Sequence, residues 1–172
     1  AQYSRTTINR KLASLRGYFG WRCATGAIAE DPAGVMQGPK QPKNLPHTIK
    51  PADMAKILTV HGAKDLSGNP REQSFSDMRD QALLELLYAC GARISEASGL
   101  LIANVDLKNS QVKLFGKGSK ERIVPIHELA ASSLARYFHF GRPKLLNGGH
   151  CELFFVSTMG NRSGTIALRK MF

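Results

Sequence analysis

Apolar residues at Ile8, Leu12, Leu15 and Phe19 recur at helical spacing, which predicts an amphipathic helix within residues 1–29, N-capped by Ser4. Thr6, Arg10, Ala13 and Gly17 fall on the opposite side and give that helix a small, basic outer face. Asp31–Pro32 ends the helical region. The stretch that follows carries Pro39, Pro42, Pro46 and Pro51 with Lys40, Lys43 and Lys50 between them and has little apolar periodicity, so residues 33–50 read as a linker. Pro51 suits a first helical turn and opens a predicted helix through Val60. A polar loop from Gly62 to Phe75 leads to Ser76, the predicted cap of a helix over 77–90 in which Leu83, Leu84, Leu86 and Leu87 lie nearly all round. A helix of that kind is buried.

Beyond Gly91 the period changes. Val112–Phe115 and Ile123–Ile126 flank a glycine-bearing turn and predict a β-hairpin. Leu129–Phe140 reads as an amphipathic helix stopped at Gly141–Pro143. Leu153–Val156 is a short strand-like run, and Ser163 or Thr165 caps a last helix. The expected fold is therefore mainly α with a small antiparallel β-hairpin or sheet, an α+β class.

Charge narrows the partner. The 172 residues carry a formal charge of +11, a field that attracts a polyanion. Residues 1–50 alone hold eight Lys and Arg against two Asp and Glu. The three cysteines, Cys23, Cys90 and Cys151, form no C-x-x-C pair and read as reduced, packed thiols of a cytoplasmic protein. His150–Cys151 has no second pair with which to hold zinc, so no metal is expected. No apolar run approaches the ~20 residues of a membrane span, and no small-molecule cofactor motif is present.

The candidate chemistry lies between Gly91 and Arg122. GARISEASGL places Arg93 and Glu96 three residues apart at the start of a helix, on one side of it. Arg93 offers a planar, permanently charged fork suited to two phosphate oxygens, and Glu96 can hold that fork or orient a neighbour. GKGSKER sets Lys117 between two glycines at the hairpin tip, with Lys120 and Arg122 following. Lys117 is a cation that can reach a substrate and also release a proton. A P-loop is excluded, because no glycine stands five residues before Gly116 and Gly118 occupies the place of its Ser or Thr.

YACGARISEASGL followed by VKLFGKGSKERIVPI resembles the catalytic domain of the tyrosine recombinases, the Xer-type (XerC and XerD) branch in particular. The resemblance implies that Arg93 is a catalytic arginine, that Glu96 belongs to the active-site pocket and that Lys117 is the catalytic hairpin lysine. It divides the chain into the end of a helical core-binding domain (1–32), an interdomain linker (33–50) and the N-terminal part of a catalytic domain (51–172). It implies double-stranded DNA as partner, a tetramer on two DNA sites for the parent enzyme, and strand cleavage and rejoining through a 3′-phosphotyrosine. The candidate DNA contacts are Arg5, Thr6, Arg10, Arg16, Lys40, Lys43, Lys120 and Arg122; the likeness of the first segment to the end of the family's core-binding domain supports its basic face as a whole and no single residue of it. The family's H-x-x-R motif and tyrosine nucleophile are not matched in these residues, for Tyr3, Tyr18, Tyr88 and Tyr137 all stand in other contexts. The chain accordingly reads as a piece of a recombinase that binds DNA without its nucleophile. The alternatives are a non-catalytic DNA-binding module and the integrase of a mobile element. An unrelated RNA- or ribosome-binding protein stands only if both motifs are coincidental.

Overall fold

The computed structural model describes residues 3–40, 45, 47–116, 118 and 120–169; Lys43 and Lys117 lie outside the described residues. The chain divides into two compact units, Ala1–Thr48 and Ile49–Phe172.

The first unit is built on α1 (Arg5–Ala24). Ser4 is its cap as predicted, its Oγ accepting the Thr7 N–H at 3.2 Å. The helix ends at Ala24, short of the predicted residue 29, where the Thr25 hydroxyl donates to the Trp21 carbonyl. The stretch after residue 32 returns along α1. The Asn9 side-chain amide donates to the Pro39 carbonyl at 3.0 Å, and Leu12 and Ala33 are buried.

The second unit begins with α2 (Pro51–Thr59), with its proline in the first turn. Helix α3 (Phe75–Cys90) follows. Its cap is Ser74, not Ser76. Ser74 Oγ accepts the Asp77 N–H and Asp77 Oδ2 accepts the Ser74 N–H, each at 3.1 Å, so the reciprocal pair sets the start two residues earlier. Helix α4 (Ile94–Ser98) comes directly after Gly91. The predicted hairpin is the larger part of a three-stranded antiparallel sheet, β1 (Val105–Asp106), β2 (Gln111–Phe115) and β3 (Glu121–Pro125), in the order β1-β2-β3. Leu114 pairs with Arg122 and Val112 with Val124.

The predicted helix stop at Gly141–Pro143 is corrected. Helix α5 (Glu128–Arg136) runs through a π turn (Tyr137–Gly141) into α6 (Arg142–Leu146). The wider turn accommodates a proline that lacks an N–H, at the start of α6. Gly141 serves close packing: a Cβ there would meet Met78 Cβ and the Phe75 carbonyl at 3.2 Å. Leu153–Val156 forms two isolated bridges, Leu101 to Leu153 and Val156 to Arg162, in place of a strand. The last helix, α7 (Thr165–Arg169), opens with the Leu168 N–H donating to the Gly164 carbonyl at 3.0 Å. Ser163, just before it, is buried, and its carbonyl takes the Ser98 hydroxyl at 2.7 Å.

The core joins Leu83 and Leu86 of α3, Val112 and Leu114 of β2, Leu134 of α5, and Tyr137, Phe154, Phe155 and Leu168. Tyr137 stacks on Phe155 with ring centroids 5.6 Å apart, and its hydroxyl accepts the buried Val156 N–H at 3.1 Å. Tyr137→Phe keeps the ring and orphans that N–H, so we expect a loss of about 1–3 kcal/mol in denaturant melts. Stability equal to the parent would show that the hydroxyl does not contribute. Charge is also buried here. Arg79 donates to Asp80 at 2.7 Å and to the Val156 carbonyl at 3.2 Å, tying α3 to the 154–156 stretch. None of the helices among the described residues is long and apolar enough to cross a membrane.

Candidate active site

Helix α3 delivers the chain to the site as a buried rod. Gly91 ends it, and Arg93 becomes the N-cap residue of α4. The backbone N–H of Arg93 donates to Glu96 Oε2 at 2.8 Å, and its Nη1 donates to Glu96 Oε1 at 3.1 Å. The pair predicted from spacing is therefore formed. It is asymmetric: the Glu96 side chain is 3% exposed and that of Arg93 70% exposed. Glu96 acts as a buried anchor and Arg93 presents its cation outward.

Arg122 completes the anchor from β3. Its Nη1 donates to Glu96 Oε1 at 2.9 Å and its Nη2 to Oε2 at 2.7 Å, a fork on a carboxylate. Each Glu96 oxygen thus accepts two hydrogen bonds, which uses the ordinary capacity of a carboxylate. Those donors, the Arg122 fork first and then the Arg93 N–H and guanidinium, outweigh burial and hold the Glu96 carboxyl down to about 2. A group so committed is no proton shuttle near neutrality. Glu96 in turn pushes the Arg122 guanidinium up.

Arg93, Ser95, Glu96, Phe115 and Gly116 line a pocket of about 340 Å³ between the start of α4 and the hairpin. Ser95 and Phe115 join the lining without being among the residues expected there from the motifs. Phe115 is readable in retrospect as the outward-facing end of β2, 44% exposed. The hairpin turn closes through Gly116 N–H to the Lys120 carbonyl at 2.8 Å. Gly118 has φ 75°, the left-handed conformation that glycine adopts without strain. Lys120 is exposed beside it. The larger groove between α2 and α3, lined by Ile57, Leu84, Leu87 and Tyr88 among others, is apolar and offers no phosphate chemistry.

The remaining predicted residues among those described belong to the first unit. Arg5, Thr6 and Arg10 are exposed on α1, and Lys40 is exposed in the stretch beyond it. Arg16 is turned to its own chain, donating to the carbonyls of Ala33 at 3.4 Å and of Met36. Within the second unit, neither Tyr88 nor Tyr137 is among the residues lining the Arg93 pocket. Tyr137 is fully buried, with its hydroxyl pushed up to about 12 by desolvation. Cys90, next to Gly91, is a packed thiol: its Sγ donates to the Leu86 carbonyl at 2.9 Å, and burial pushes it up. Among the described residues no group of His, Cys, Asp and Glu stands together as a metal site.

A family model described as the phage integrase family matches residues 56–172. Tyrosine recombinase XerD of Pseudomonas aeruginosa is 38% identical over 160 residues, covering 93% of this chain and 51% of the relative. Tyrosine recombinase XerC of Thermodesulfovibrio yellowstonii is 41% identical over 134 residues, 78% of this chain and 42% of that protein. The chain thus spans about half the length of the curated relatives it matches. Among solved structures, XerA recombinase aligns with a TM-score of 0.55 at 23% identity, over 98% of this chain and 52% of that one. A lambda integrase tetramer bound to a Holliday junction aligns with a TM-score of 0.64 at 13% identity, over 93% and 44%. At these identities the structural likeness is one of fold. The family match begins within α2 and takes in the Arg93–Glu96 pair, the pocket and the hairpin, and on that ground the chain belongs to the phage integrase family, the tyrosine recombinases.

Proposed function

We propose that this chain supplies DNA-binding and phosphate-activating parts of a site-specific DNA recombinase. The observation that carries the reading is the Arg93 guanidinium, held by a buried carboxylate yet 70% exposed at a pocket bordered by Gly116 of the hairpin. A fixed cation of this kind stabilises charge as it builds on a phosphoryl group, and it needs no reorganisation at the moment of reaction. In the reaction the family carries out, a tyrosine oxygen bonds to phosphorus and the bond from phosphorus to the 5′-oxygen breaks. The leaving oxygen takes a proton, for which Lys117 is the proposed donor, and Arg93 balances the charge on the non-bridging oxygens. None of Tyr3, Tyr18, Tyr88 and Tyr137 is the proposed nucleophile. By likeness to the lambda integrase tetramer, the full-length protein is proposed to act as a tetramer on two duplex sites.

The reading sets two expectations for the 172-residue polypeptide. It should bind duplex DNA with little sequence preference, through cations that include Arg5, Arg10, Lys40 and Arg93. About four phosphate contacts correspond to roughly a 10²-fold loss of affinity between about 50 and about 200 mM salt. An affinity unchanged across that range would count against electrostatic DNA binding. On a nicked suicide duplex the polypeptide should leave no denaturant-resistant adduct. An adduct would mean that one of the four tyrosines is the nucleophile.

A further inference from the structure

Strand β3 alternates. Glu121, Ile123 and Pro125 are exposed, while Arg122 and Val124 face inward. Their partners across the ladder, Leu114 and Val112, are fully buried core residues. The Arg122 side chain keeps 36% of its surface exposed at the edge of this core face, and its pairing is specific. Arg122 makes both of its short bonds to Glu96, the same carboxylate that takes the backbone and side chain of Arg93. A Cβ added to Gly116 would lie 3.5 Å from both Arg122 Nη1 and Glu96 Oε1, so the hairpin turn departs directly from this pair. Arg93 meets the pair from α4 through Glu96, and the Gly116 N–H to Lys120 carbonyl bond closes the turn next to it.

We infer that Arg122 is a positioning residue for phosphoryl transfer: it latches the Gly116–Lys120 turn to the start of α4 through Glu96, and it does not itself bind a DNA phosphate. The inference rests on the function proposed above. With both Glu96 oxygens occupied by its fork, Arg122 sets the distance between the turn and Arg93. A lysine in its place supplies a single point contact and cannot span both oxygens.

The test uses the full-length protein with Arg122→Gln and, as a variant that keeps the charge, Arg122→Lys. Both are first checked for a cooperative melt; if Arg122→Gln does not fold, Arg122→Lys carries the comparison. Expected is a fall of about 10²-fold in the single-turnover cleavage rate, since catalytic groups displaced by about 1 Å lose on that order. DNA affinity should stay within about twofold and the salt slope should be unchanged. Replacing the leaving 5′-oxygen with sulfur, which departs without a proton, should recover a large part of the rate. A phosphate-contacting Arg122 predicts instead weaker binding on every sequence and a salt slope smaller by about one, and that result overturns the inference. A wild-type cleavage rate in both variants overturns it as well. Absence of cleavage by the unsubstituted full-length protein would instead defeat the proposed function, so the two failures are distinguishable.

Discussion

Arg93→Ala in the full-length protein is expected to lower DNA strand cleavage by about 10²–10³-fold, the usual cost of removing one fixed donor from a developing oxyanion. The variant should bind duplex DNA nearly as well as the parent, because one exposed cation among several contributes about one unit of salt slope. Its defect should persist when the leaving 5′-oxygen is replaced by sulfur. Charge on the non-bridging oxygens builds whichever atom departs, and Arg93, anchored by Glu96 and open to the pocket, is placed to meet it. Lys117→Ala should behave differently. As the proposed general acid it should cost about 10²–10⁴-fold on the ordinary substrate and recover on the sulfur substrate, whose leaving group needs no proton. Single-turnover cleavage of the two substrates by the two variants separates the roles. If sulfur rescues neither, Lys117 is a clamp on the phosphate and not an acid.

Glu96→Gln is expected to destabilise the chain by about 2 kcal/mol at neutral pH and to remove the Glu96 share of the stability that the parent loses in acid. The Arg122 fork, with the Arg93 N–H and guanidinium, lowers the Glu96 carboxyl from 4.5 to about 2 in the folded state. Such a shift is linked to stability on the order of 3 kcal/mol, reduced here because both guanidinium partners reach solvent. The sign follows from the direction. The folded state holds the carboxylate more tightly deprotonated than the unfolded chain does. The contribution is therefore complete above about pH 4.5 and is lost as pH falls toward about 2. Denaturant melts of parent and variant at about pH 6 and about pH 3 should show a gap that narrows on acidification. A constant gap would place the cost in packing and not in the carboxylate's charge.

Much of this site lies within short reach along the chain, and for that reason it is visible in the residues themselves. Arg93 and Glu96 meet because positions three apart on a helix share a face, and the glycines of GKGSKER mark a turn whatever surrounds it. The buried leucines of α3 and the inward alternation of Val112 and Leu114 follow from periodicity in the same way. Local rules also misled where two were in competition. Ser74 and Ser76 can each start a helix, and only the reciprocal bond with Asp77 decides for Ser74. Gly141–Pro143 carries the signature of a helix end, yet the close fit of Gly141 on Met78 and a π turn carry the chain onward into α6. What tertiary structure alone decided are the pairings between distant segments. Lys120 and Arg122 look alike in sequence, and one is exposed while the other turns inward to a carboxylate 26 positions earlier. Arg16 and Arg10 share one helix, and only Arg16 is drawn to the carbonyls of the returning chain. Arg79, on the helix read as a row of leucines, reaches the Val156 carbonyl 77 positions away. The physical reason is the same in each case. A guanidinium settles against its own chain only where another element has brought acceptors within its reach, and that meeting depends on how helices and strands pack, which residue types and their spacing do not encode.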